Sequence, residues 1–232
     1  MQNNLNQTPQ DKSPHLEDSL QISLFSQSRL RGYTSTQEHE ENLALIASIA
    51  HKIGIIEIIL RNIIDSILSQ NNANWLESLP QEIIQELKPS PEIRHTASKD
   101  KIISSQNLGF WIKVIEHYKI HNQILNINFL DTMDFKKYFV KNKNTFKTKH
   151  NRLLRHHKVK AILELLRLIR NRSFHFENLY KIVGNDYPRL NVKITNKYKE
   201  SIYIAIHPSK IKDFLDDLLA SFHKDLVFYA EK

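Results

Sequence analysis

The chain has 232 residues, with 33 Lys and Arg against 25 Asp and Glu, a net charge of +8 and no cysteine. That length fits one domain with a substantial core. Without thiols there is no disulfide scaffold, no thiolate metal site and no cysteine nucleophile, and a reducing, cytoplasmic setting is expected.

Residues 1–22 are polar and lack the basic start and apolar run of a signal peptide, so a disordered or weakly ordered tail and no export are expected. The remainder, 23–232, is expected to form a single all-α domain, a helical bundle with a small β-hairpin accessory. Ser35-Thr36-Gln37-Glu38 has the S-x-x-E form of a capping box and opens a helix that runs to about residue 68. Leu43, Ile46, Ile49, Ile53, Ile56, Leu60, Ile64 and Ile67 form its main stripe. Ile55, Ile58, Ile59 and Ile63 widen that stripe until the helix is apolar almost all round, which predicts a central position. Ser48, His51, Lys52, Glu57, Arg61, Asn62 and Asp65 interrupt the run, and a bilayer span would not tolerate them without partners, so no membrane association is expected. Glu57 falls on the stripe itself. Either it pairs with Arg61 one turn on, or it reaches across to the helix over residues 152–174, to the guanidinium of Arg170 or the ring of His175, with Asn62 as a further polar group nearby.

Residues 71–74 break this helix, Pro80 opens a short one to residue 88, and Pro89-Ser90-Pro91 breaks the chain again. After a loop, Gly109-Phe110-Trp111 starts a helical stretch to about residue 120, and residues 133–140 add a turn or two. Between Lys136 and Lys160 lie ten Lys or Arg, three His and no acid, and the rest of the chain carries 23 basic against 25 acidic residues. The basicity is therefore local. The segment is either a solvated basic loop and helix face or, with Tyr138, Phe139 and Phe146 interleaved where bases would stack, a surface for a polyanion, with Lys141, Lys143, Lys147, Lys149, Arg152, Arg155 and His156 as the candidate backbone contacts.

A helix over residues 152–174 follows, with Leu154, Ala161, Ile162, Leu165, Leu166, Leu168 and Ile169 as its apolar band. It ends in Arg170-Asn171-Arg172-Ser173-Phe174-His175. A basic last turn offsets the helix macrodipole. The same residues also suit phosphodiester chemistry, because arginine stays protonated and histidine exchanges a proton near neutrality. Asn171 and His175 share a helical face, so the amide would hold the imidazole in one tautomer. Arg170, about 140° from His175 on the wheel, needs its long side chain or a second subunit to converge. Residues 190–206 read as a hairpin and residues 209–229 as a helix striped by Ile211, Phe214, Leu215, Leu218, Leu219, Phe222 and Leu226. There is no H-E-x-x-H, and no metal or other cofactor is expected.

Ile169-Arg170-Asn171-Arg172-Ser173-Phe174-His175-Phe176-Glu177 resembles the R-N-x-x-x-H signature of HEPN domains, in particular the R-N-R-x-x-H-H-E form of the abortive-infection Abi-like proteins. Two further segments resemble the same family in order and spacing: Ile56-Glu57-Ile58-Ile59-Leu60-Arg61-Asn62 its E-x-x-L-R-N element, and Leu108-Gly109-Phe110-Trp111 its G-F-W element. The resemblance spans residues 25–230. It departs at Phe176, where relatives often carry a second His, and no Tyr stands two residues after the His. What the resemblance implies is a metal-independent endoribonuclease of toxin or phage-defence type, a homodimer in which two such helices meet in one cleft. Arg170, Asn171 and His175 would be catalytic, Glu57, Arg61 and Asn62 would support them, and Arg172 with the basic segment would carry RNA. An antitoxin or defence-system partner is compatible with this reading. An RNA-binding module of the same fold without catalysis is the alternative.

Overall fold

The computed structural model describes residues 18–147 and 152–231, about 61% of the chain being helical, with two small antiparallel sheets. In chain order the helices are α1 (Asp18–Phe25), α2 (Gln27–Leu30), α3 (Thr36–Asn71), α4 (Gln81–Ile84), α5 (Pro91–Arg94), α6 (Lys99–Ser104), α7 (Leu108–Tyr118), α8 (His121–Ile124), α9 (Ile127–Thr132), α10 (Arg155–Phe174), α11 (Ile211–Phe222) and α12 (Leu226–Tyr229).

α3 is the central rod. Ser35 caps it, its Oγ accepting from the Glu38 N–H at 3.1 Å. Glu38 leaves the expected capping box open and turns back to accept from the N–H and hydroxyl of Thr34. Ile49, Ile53, Ile56, Leu60 and Ile64 are at most 1% exposed, and α7, α8, α10 and α11 pack against the helix. Each such isoleucine contributes about 1.5–3 kcal/mol on burial. The helix is not buried all round, however: Ile58 is 47% exposed, and Leu45 and Leu68 are buried in place of Leu43 and Ile67. By length and composition α3 alone among the described residues would suffice to cross a bilayer. Its buried Lys52 is spent on an ion pair with Asp216 of α11.

The chain departs from expectation in its short elements. Residues 18–22, expected in the tail, belong to α1, and buried Gln21 donates from Nε2 to Glu40 at 2.6 Å. α6 stands where loop is expected, α8 and α9 fill the stretch between residues 120 and 133 for which the sequence suggests no element, and residues 133–140 contain only one 3-10 turn, Phe135–Lys137. α10 starts at Arg155 rather than 152; Leu154 is its N-cap and offers its own N–H to His157 Nδ1 at 3.2 Å. The expected C-terminal helix is two helices, because His223 is extended between them, with its Nδ1 accepting from the Asp225 N–H at 3.3 Å.

The hairpin is present. In order along the chain, β1 (Ile182–Val183) pairs with β2 (Tyr187–Pro188), and β3 (Asn191–Thr195) pairs antiparallel with β4 (Ser201–Ala205), Val192 opposite Ile204. Val192, Ile194, Ile202 and Ile204 are buried in the common core, and β3 packs against α10. The first of these pairs is unexpected from the sequence, since two-residue strands carry no alternation to read.

Candidate functional site

α10 buries one face and ends in the candidate motif. Val159, Ala161, Ile162, Leu165, Leu166 and Ile169 are fully buried, which fixes the rotation of the helix and leaves Arg170 and Asn171 half-buried at its rim. After Phe174 the helix closes in a Schellman turn: the Phe176 N–H bonds to the Ser173 carbonyl at 3.0 Å and the Glu177 N–H to the Arg172 carbonyl at 2.8 Å. The left-handed position of that turn is held by Phe176, φ 51.

Arg170 faces a cavity of about 640 Å³ between α3, α10 and the start of α7. Four cations line it, Arg61, Lys88, Arg167 and Arg170, against one carboxylate, Glu57. Glu57 Oε1 accepts from Arg170 Nε at 2.9 Å, so the acid on the α3 stripe reaches across to α10 and does not pair with Arg61. It is also not buried, its side chain being 29% exposed. Arg167 is forked onto Glu164, at 2.9 Å from Nε and 2.7 Å from Nη2. Arg61 has no acid partner among the described residues. The G-F-W segment forms the far wall. Asn107 caps α7 by accepting from the Phe110 N–H at 2.9 Å, and a Cβ on Gly109 would stand 3.1 Å from that cap oxygen, which is why glycine suits the position.

His175 lies elsewhere. As the C-cap of α10 it is exposed and lines a separate recess of about 520 Å³ with Arg29, Tyr33, Phe176, Lys181 and Arg189. The expected Asn171 to His175 contact is limited to the backbone, where the His175 N–H bonds to the Asn171 carbonyl at 3.0 Å. The Asn171 amide oxygen instead lies 3.5 Å from Arg170 Nη1. Two buried asparagines hold the recess. Asn42 donates to the Glu177 carbonyl and accepts from the Leu179 N–H, and Asn178 donates to the Gly32 carbonyl and to Glu38.

The structure therefore brings Arg170, Asn171, Glu57 and Arg61 together and sets His175 apart within one chain. Asn62 is exposed and outside the cavity. Arg172 is turned inward, its Nη1 at 2.5 Å from Glu177, which Arg189 also grips at 2.6 Å, so its guanidinium is engaged within the turn. The aromatic residues of the basic segment are not stacking surfaces, because Tyr138, Phe139 and Phe146 are buried at 2%, 9% and 3% exposure. Tyr138 packs edge-on against Phe214 and donates to Asp217, and burial beside that carboxylate raises its pKa far above the ordinary phenol value.

Several cations of the segment are already spent: Lys141 on Asp186, Lys137 on Asp217, Lys160 on Glu116, and Arg155 on Asp131 through two bonds of 2.7 and 2.6 Å. Lys143, Lys147 and Arg152 remain exposed with no acid partner among the described residues. His156 is exposed, its ring 3.9 Å from that of His157. Lys149 lies outside the described residues. Arg167 could have been read from its place one turn before Arg170, whereas nothing local in the sequence ties Arg29, Lys181 or Arg189 to His175. Among the described residues no three His, Asp or Glu side chains gather as metal ligands would.

Comparison of the chain with protein-family models, with curated proteins and with solved structures gives no match.

Proposed function

We propose that this chain is a metal-independent endoribonuclease of toxin or phage-defence type, an Abi-like HEPN protein acting as a homodimer on cytoplasmic RNA. The observation that carries the reading is the end of α10: a guanidinium fixed by Glu57 at the rim of a cation-rich cavity, and five residues later an exposed imidazole beside further cations. In the proposed reaction His175 takes the proton of a ribose 2′-hydroxyl, whose oxygen bonds to the adjacent phosphorus as the bond to the 5′-oxygen breaks. Arg170 stabilises the phosphorane oxygens. The products are a 2′,3′-cyclic phosphate and a 5′-hydroxyl that takes up a proton. Lys143, Lys147 and Arg152 are the cations free to meet the RNA backbone.

A second reading has an observation in its favour. Because Arg170 and His175 line different recesses in one chain, a single subunit lacks a joined pair, as an RNA-binding module without catalysis would. Incubating the purified chain with total RNA in chelator separates the two. Discrete fragments ending in cyclic phosphate support the nuclease, while retained RNA with unbroken chains supports the binding module.

A further inference from the structure

Phe176 occupies a position that phenylalanine does not favour. It is the left-handed residue of the turn that ends α10, φ 51, where glycine is the usual choice because a Cβ there crowds the following carbonyl. Packing does not account for it: the residue is 53% exposed. On the other side of His175, Phe174 is 50% exposed as well, and its ring lies 5.0 Å from the Arg170 guanidinium carbon. Two exposed aromatic residues therefore flank His175 along the chain, Phe174 on the Arg170 side and Phe176 in the recess of the imidazole. Of the two, Phe176 lines the recess of His175 together with Arg29, Lys181 and the Arg189–Glu177 ion pair, and Arg29 Nη1 binds the Phe176 carbonyl at 3.1 Å.

We infer that Phe174 and Phe176 form a binding site for nucleobases, positioning residues that stack the two bases flanking the phosphate on which His175 acts. The inference rests on the ribonuclease reading and adds to it the residues that hold substrate. A planar, uncharged π-face joined to an anionic backbone suits exposed aromatic surface set among cations, and base stacking on such rings tolerates any sequence. With Tyr138, Phe139 and Phe146 buried and Tyr33 half-buried, these two phenylalanines are the exposed aromatic residues beside His175 among the described residues. Strain at Phe176 then has a use: the left-handed backbone turns its ring out beside His175, where a helical residue would continue along α10.

The test measures binding of a single-stranded RNA oligonucleotide on a His175→Ala background, so that the probe survives. Phe176→Leu keeps an apolar side chain in the same backbone but removes the π-face, and should weaken binding at least about fivefold. Phe176→Tyr should bind as the parent does. The log-log salt slope should be unchanged, because every phosphate keeps its cation. With an oligonucleotide carrying abasic sites, the loss from Phe176→Leu should vanish. Phe174→Leu, within the helix and free of left-handed strain, repeats the comparison should Phe176→Leu fold poorly. Equal affinity of both leucine variants and parent overturns the inference while leaving the ribonuclease reading intact, as does a loss that persists on abasic RNA. A loss that tracks dissociation of a dimer in light scattering overturns it in favour of a second copy of the chain covering these rings. A parent that binds no RNA sinks the ribonuclease reading together with it.

Discussion

His157 makes the fold acid-sensitive in a window where most carboxylates are silent. The residue is 8% exposed, and its Nδ1 must stay unprotonated to accept the Leu154 N–H at 3.2 Å. Burial, aided by the neighbouring charges of His156 and Lys160, lowers its pKa to about 4. Unfolded, it titrates near 6.5. Between these values the unfolded chain binds more protons than the folded one, so stability is complete above about pH 6.5 and is lost as pH falls toward 4. At pH 5 the loss is about 2 kcal/mol, approaching about 3 kcal/mol once both states are protonated. His39, His121 and His156, each also lowered by burial, add to the same slope. Denaturant midpoints measured from pH 7 to pH 5 should therefore fall. His157→Gln, whose carbonyl can still accept the Leu154 N–H, should flatten the curve by about 2 kcal/mol at pH 5. A variant curve parallel to the parent's, or stability that rises as the medium is acidified, would refute the reasoning.

Three further outcomes are expected. Glu57→Gln should leave thermal stability within about 1 kcal/mol, because the Arg170 pair is about a third exposed on each side, yet slow cleavage about tenfold by freeing the guanidinium; a melting scan beside a rate assay checks both. Changing Lys143, Lys147 and Arg152 together to Gln should lower the salt slope of RNA binding by about 0.7 for each phosphate that is no longer neutralised, whereas changing the paired Lys137 and Lys160 should not. Asn142→Leu should cost about 2–4 kcal/mol by chemical denaturation, since the buried amide bridges the Phe135 carbonyl and both backbone groups of Ala205 at 2.8 Å, and its removal leaves them unpaired.

Long periodic segments were legible. The stripe of α3, the hairpin and the first half of the C-terminal helix follow from apolar spacing alone, because burial on one face imposes that spacing. Four- to six-residue helices such as α6, α8 and α9 carry too few turns to show a period, and the break at His223 depends on a local side-chain bond no pattern records. At the site, a helical wheel places Glu57 toward the interior but does not choose between Arg61 on its own helix and Arg170 or His175 across from it; only the packing of α3 against α10 decides for Arg170. Aromatic residues between lysines read equally well as stacking surface or as anchors. Tyr138, Phe139 and Phe146 proved to be anchors, because they tie an otherwise polar segment to Phe214 of α11, Tyr187 of β2 and His157 of α10. The surroundings of His175 were beyond reach, since Arg29 lies 147 residues before the carbonyl it binds.

The most direct measurement uses an RNA that the purified chain cuts in chelator, beside a copy with a single 2′-deoxynucleotide at the cut. Cleavage of the first to a 2′,3′-cyclic phosphate, none of the second, and a rate at least about 10² lower for His175→Ala are the expected results. Cutting of the deoxy copy, or an undiminished His175→Ala rate, would contradict the assignment of His175 as the base that activates the 2′-hydroxyl.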